Sequence, residues 1–221
     1  MRVLLDDDDL DYINSYIAEI QKDYIVDVAY TASDGAYRAE VSDYDVIIVD
    51  SNLPNEDSYR LCREVRDANI SSPILLLSEN QDHHTRTQSL KDGANVCLSK
   101  TAPPTELSAQ IKALTRLRHN YNGGTKIKVG SLTVDFNLQQ ICNGSEKISL
   151  RKKEFNILEY LLMNRSRVVS KEELLDHIWE DGILVRSNSL EVHIRNLRLK
   201  IEKPFGHTII KTLRGFGYRI D

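Results

Sequence analysis

Along the first half of the chain, apolar residues fall into short runs that end in acid, hydroxyl or ammonium groups. LLDDDD (residues 4–9), YDVIIVD (44–50), PILLLS (73–78) and CLSK (97–100) share this form. Between them apolar residues recur at helical spacing: Ile13, Ile17 and Ile20; Leu61 and Val65; Leu107, Ile111 and Leu114. The pattern predicts strands over 2–6, 25–29, 45–50, 74–78 and 96–99. It predicts helices over 9–21, 34–41, 58–67, 83–92 and 104–118, with Gly93 marking the end of the fourth. Five strand–helix units in order predict an α/β, doubly wound, five-stranded parallel sheet with its chemistry at the carboxyl ends of the strands.

The texture then changes. Residues 119–125, polar with a Gly pair, form the best linker, which divides the chain into 1–119, a linker over 120–126, and 127–221. Ile127, Val129, Leu132, Val134 and Phe136 alternate with polar residues between turns at Gly130, Asn137 and Asn143-Gly144, predicting a small antiparallel sheet. Three helices follow, over 151–164, 171–180 and 188–203. Ser170 is a candidate N-cap for the second, with Glu173 at the capping-box position. A hairpin over 208–221 closes an α+β second domain.

Composition separates the halves further. Residues 1–120 carry 12 Lys and Arg against 21 Asp and Glu, whereas residues 121–221 carry 17 against 12. The basic second half suits nucleic acid, although a solvated surface has the same composition. No apolar stretch approaches the roughly 20 residues that span a bilayer, and the N-terminus does not read as a signal peptide. Cys62, Cys97 and Cys142 lie far apart without a CxxC, which fits reduced thiols. Together these features predict a cytoplasmic protein with no membrane partner.

Asp50 at the end of one strand, facing Asp7 and Asp8 from a neighbour, makes a carboxylate cluster that calls for a proton or a cation. Hard oxygen donors with room for water suit Mg²⁺. Such an ion would neutralise a phosphoryl group as an aspartate oxygen attacks it, with Lys100 supplying a point charge and Ser78 a hydroxyl. Taken singly, acids after strands also cap the following helix, a role that suits Asp9.

In the second half, Leu190, Ile194, Leu197 and Ile201 form one apolar stripe on the third helix. The opposite side carries Ser189, Val192, Arg195, Asn196, Leu199 and Lys203, flanked by His193, Arg198 and Lys200. Arg can address guanine, Asn adenine, and Val a thymine methyl in a major groove, while flanking cations hold phosphates. Arg214, in the hairpin's RGFG turn, is placed for a minor groove. An amphipathic surface helix and a solvated turn are the bland alternatives, against which Val192 and Leu199 on the outer side count.

These residues together resemble a two-component response regulator of the OmpR/PhoB type, a flavodoxin-like receiver joined to a winged-helix DNA-binding domain. The resemblance implies Asp50 as phosphoacceptor and Asp7 and Asp8 as the acid pair. It implies Mg²⁺ on Asp8, Asp50 and the Asn52 carbonyl, and Ser78 and Lys100 as the switch hydroxyl and lysine. Leu53-Pro54 and the ending Gly215-Phe216-Gly217-Tyr218-Arg219 fit as well. A sensor histidine kinase, a receiver-mediated homodimer, promoter DNA, and RNA polymerase at residues 180–186 are the implied partners. The implied role is regulation rather than enzyme catalysis.

Several positions depart from the pattern. Asp6 stands where an apolar residue is usual, Glu79 where a small one is, and Cys97 where a Tyr or Phe is. Thr101 replaces a proline that usually follows a cis bond. On the dimer face Arg86 and Glu106 keep one charge pair, while Asn95 with Leu117 and Val96 with Gln110 replace two others. These departures predict weaker coupling of phosphorylation to output, and at the limit a phosphorylation-independent regulator whose receiver is a dimerisation module. A remote alternative is a haloacid-dehalogenase-type phosphohydrolase with Asp6 as nucleophile. The first half is short for that fold, and it leaves the second half unexplained.

Overall fold

The computed structural model describes residues 1–53, 58–118, 126–136, 138–179 and 188–221. The linker residues 119–125, Pro54, the turn residue Asn137 and the loop 180–186 lie outside them. The chain divides into two compact units, Met1–Asn120 and Tyr121–Asp221.

Unit 1 alternates β1 (Arg2–Asp6), α1 (Leu10–Ile20), β2 (Ile25–Ala29), α2 (Ala32–Val41), β3 (Val46–Asp50), α3 (Ser58–Asp67), β4 (Ile74–Ser78), α4 (His83–Lys91), β5 (Val96–Ser99) and α5 (Pro104–Arg118). The strands are parallel in the order β2-β1-β3-β4-β5. Strand order reverses between β1 and β3, which opens a crevice at their carboxyl ends. β1, β3 and β4 are buried throughout because helices cover both faces. α1 packs beside α5, and α2 beside α3.

Helix ends follow local chemistry. The Asp9 carboxylate accepts from the amides of Asp11 and Tyr12 and caps α1. α2 begins two residues earlier than its apolar pattern suggests, because Thr31 caps it by accepting from Asp34 N. Gly93, at φ 107°, ends α4 in the left-handed conformation.

Unit 2 opens with an antiparallel sheet of β6 (Lys126–Val129), β7 (Leu132–Asp135), β8 (Gln140–Asn143) and β9 (Glu146–Ile148). Lys126 therefore belongs to the sheet rather than to the linker. Then come α6 (Lys152–Met163), α7 (Lys171–Ile178), α8 (Asn188–Ile201) and the hairpin β10 (Ile210–Leu213)–β11 (Gly217–Ile220). Ser170 caps α7, but the Glu173 carboxylate turns away from the cap to Tyr160 and Arg167. α8 stops at Ile201, two residues short of the sequence reading. There the Glu202 carboxylate accepts from the amides of Ile209 and Ile210 and draws the chain into β10. β11 also bonds the segment ahead of α7, Tyr218 and Val169 exchanging both amide bonds. Gly217 permits this approach: at φ 139°, a Cβ there would collide with the Val169 carbonyl. One apolar core joins the β6–β9 sheet, all three helices and the hairpin.

Candidate functional site

β1 and β3 are neighbours, so the residues at their carboxyl ends meet. Carboxylate oxygens of Asp7, Asp8 and Asp50 lie within 4.8 Å of one another. Asp7 and Asp50 are buried and Asp8 is exposed. Lys100, just past β5, reaches across to pair with Asp50 Oδ2 at 2.7 Å and Asp7 Oδ2 at 3.4 Å. Asp7 Oδ1 accepts from the amide of Asp9. Asp50 Oδ1 is buried and accepts no hydrogen bond among the described residues.

Charge and burial compete in this pocket. Burial, aided by the Asp50 charge, pushes the Asp7 carboxyl above the usual range, against the Asp9 amide and Lys100, which pull it down. Burial alone would lower the Lys100 ammonium, but its bonds to Asp50 and Asp7 outweigh that and hold it above its ordinary value. An acid cluster in which Asp50 Oδ1 is buried without a hydrogen bond, with an exposed third carboxylate, suits a hard divalent cation. Oxygens within 4.8 Å of one another are close enough for one such ion to be shared by all three carboxylates after small side-chain adjustment.

Other expected residues are placed differently. Asn52 is exposed, two residues beyond Asp50, and its side-chain oxygen lies 3.1 Å from Ser51 Oγ. The buried Ser78 hydroxyl donates to the Asn80 carbonyl at 2.9 Å, so its proton is not offered to Asp50. Cys97 accepts from Gln81 through sulfur at 3.8 Å. No cis peptide occurs among the described residues, so the Lys100–Thr101 bond is trans. Asp6, nucleophile of the phosphohydrolase alternative, is fully enclosed against Gly35 of α2 and has no approach for a substrate. On the α4–β5–α5 side, Arg86, Val96, Glu106 and Gln110 line one groove. Asn95 is committed within the unit, its oxygen accepting from Arg66 and Ile74 N, while Leu90 and Leu117 stand exposed.

Two tyrosines that the sequence reading passed over complete the pocket. Lys100 Nζ lies 4.7 Å from the centroid of the Tyr12 ring. Tyr16 packs on Tyr12, ring centroids 4.4 Å apart, and donates to the carbonyls of Lys100 and Ala102. Their spacing of four on α1 was the available signal.

In unit 2, Leu190, Ile194, Leu197 and Ile201 are buried. Val192, Arg195 and Leu199 are exposed, and Ser189 and Asn196 half-buried, along the rest of α8. Arg214 is exposed in the hairpin turn beside Phe216, which is 73% exposed. Three flank residues are already engaged. Arg198 donates to Ile210 O and Thr212 Oγ1, Lys200 pairs with the buried Glu154 at 2.7 Å, and the His193 ring packs on Trp179. Arg198 thus ties α8 to the hairpin, and Lys200 ties it to α6. Trp179 is a core residue.

Comparison with known proteins agrees with this architecture. Residues 3–112 match the response regulator receiver domain, and residues 145–220 the C-terminal domain of transcriptional regulatory proteins. The transcriptional regulatory protein PmrA of Pectobacterium parmentieri is 36% identical over 98% of this chain and 95% of its own. BasR of Escherichia coli is 32% identical over 100% and 97%. The receiver of the Francisella response regulator 1452 superposes with a TM-score of 0.50 at 25% identity, over 52% of this chain and 97% of that one. Among the described residues no helix is long and apolar enough to cross a membrane. The relatives are named transcriptional regulatory proteins, and neither those names nor the enclosure of Asp6 favours the phosphohydrolase alternative. This chain belongs to the OmpR/PhoB-type response regulators, DNA-binding transcriptional regulators built from a receiver and a winged helix.

Proposed function

We propose that Asp50 is the phosphoacceptor and that the protein regulates transcription from promoter sites read by α8 and the hairpin turn. In this reading residues 1–119 are the receiver, 120–125 the linker and 126–221 the DNA-binding domain, Lys126 being drawn into β6. The carrying observation is Asp50 Oδ1, a buried carboxylate oxygen without a hydrogen bond among the described residues, held open while Lys100 occupies its twin. That oxygen attacks the phosphorus of a phosphohistidine on a sensor kinase. The new O–P bond forms as the N–P bond breaks, and the electron pair leaves with the imidazole. Asp7, Asp8, Asp50 and the Asn52 carbonyl would hold Mg²⁺, which supplies charge neutralisation to the transferring group. Lys100 stays charged and faces the phosphoryl oxygens once Asp50 is modified.

Ser189, Val192, Arg195 and Asn196 face bases, and Arg214 enters a minor groove. Arg198, Lys200 and His193 act mainly by holding α8 and the hairpin in place, given their bonds within the unit. A homodimer through the receiver, contact of loop 180–186 with RNA polymerase, and a cytoplasmic setting complete the reading.

The test is direct. Purified protein is incubated with acetyl phosphate and Mg²⁺ and weighed intact. Wild type gains the mass of one phosphoryl group, and Asp50→Asn gains none. Equal labelling of the two proteins would remove Asp50 from its role. The phosphorylation-independent reading draws on Ser78 being turned to Asn80 and on Cys97 in the aromatic position. It predicts that wild type and Asp50→Asn bind the same promoter equally in the presence of phosphodonor.

A further inference from the structure

The pocket contains a donor that neither the acid cluster nor the lysine accounts for. The Tyr12 hydroxyl oxygen is buried and makes no hydrogen bond of acceptable geometry among the described residues. Its nearest hydroxyl neighbour, on Tyr16, gives its own proton to the carbonyls of Lys100 and Ala102. The Ser78 proton goes to Asn80, and Ser99 and Thr101 pair with each other. Among the described hydroxyls around the pocket, Tyr12 thus closes no hydrogen bond of acceptable distance and angle, and the oxygen of the neighbouring Tyr16 is the acceptor that competes for its proton. The Lys100 ammonium lies over its ring, and its oxygen feels the charges of Asp7 and Asp50. Burial, then Tyr16 and then those two carboxylates push its ionisation far up, so it remains a neutral O–H donor.

A buried donor without an acceptor is costly, and such groups are retained where a ligand supplies the acceptor. Asp50 Oδ1 does not itself accept from Tyr12. A phosphoryl group on that oxygen would extend three strong acceptor oxygens outward from it. We propose that the Tyr12 hydroxyl donates a hydrogen bond to the phosphoryl group on Asp50, taking the part that the Ser78 hydroxyl is turned away from. Tyr12 is then a positioning residue for the modified aspartate, its ring holding Lys100 and its hydroxyl holding the phosphoryl oxygen. The inference rests on the phosphoacceptor reading of Asp50.

Beryllofluoride, which mimics a phosphoryl group on a carboxylate, separates the possibilities. Its affinity for the full-length chain is measured in saturating Mg²⁺ for wild type, Tyr12→Phe and Asp50→Asn, beside Mg²⁺ affinity and Tm without beryllofluoride. Tyr12→Phe keeps the ring under Lys100 and removes only the hydroxyl. The expected result is about tenfold weaker beryllofluoride binding, or about 1.4 kcal/mol. Mg²⁺ affinity should be unchanged, and Tm equal or slightly higher, since the hydroxyl makes no bond in the resting state. Unaltered beryllofluoride affinity in Tyr12→Phe overturns the inference, as does a matching loss of Mg²⁺ affinity or a lowered Tm, which would mark a packing role. If wild type binds no beryllofluoride, or Asp50→Asn binds it equally, the phosphoacceptor reading fails and takes this inference with it. Binding abolished by Asp50→Asn but indifferent to Tyr12→Phe sinks the inference alone.

Discussion

Arg195 and Lys200 lie five residues apart on one helix and carry the same charge, yet their surroundings assign them different work. Arg195 is exposed on α8, while Lys200 spends its charge on a buried glutamate. Arg195→Ala should cost about 1–3 kcal/mol of operator affinity and relax one base position. Competition between single-base operator variants measures this. A loss that is uniform across all variants would mark a phosphate contact instead. At Asp50 the same logic applies: its role follows from one oxygen paired with Lys100 and the other left unbonded.

Among the elements, α8 depends on partners that its own periodicity does not reveal. Glu154 accepts from Lys200 and from the Arg151 amide, closing the start of α6 and tying it to α8. Burial favours the neutral acid, but these bonds prevail and hold the Glu154 carboxyl below its ordinary 4.5. The folded state therefore binds this proton less readily than the unfolded chain. Its stabilisation is complete above about pH 4.5 and is lost as pH falls through the folded value. Glu154→Gln should destabilise unit 2 at pH 7 by about 1.5–3 kcal/mol, the range for a charged hydrogen bond. It should also flatten the acid limb below pH 4.5. Urea melts of wild type and variant from pH 3 to 7 test both, and parallel acid limbs would refute the assignment.

For the whole molecule, the issue is how strongly the acidic unit controls the basic one. The Ser78 hydroxyl is committed to Asn80, Cys97 replaces an aromatic, and Asn95 is bonded within unit 1. These features favour weak coupling. Beryllofluoride with Mg²⁺ should tighten operator binding by less than about tenfold, a coupling under about 1.4 kcal/mol. Footprint titrations with and without beryllofluoride decide it. A hundredfold gain together with dimer formation would show a fully coupled switch.

Periodicity and strand-end chemistry were enough to specify the order of elements, both fold classes, the carboxylate trio and the exposed side of α8. α3, β4, β5 and α5 coincide with their sequence readings because apolar runs and stop signals are local properties. Non-local placement is not written in such runs. The turning of Ser78, the pairing of Val169 with Tyr218, the capture of Lys200 by Glu154 and the unbonded Tyr12 hydroxyl each depend on partners distant in sequence or on the direction of one side chain. Spacing reports which face a residue occupies; only the packed structure determines which neighbour takes its proton or its charge.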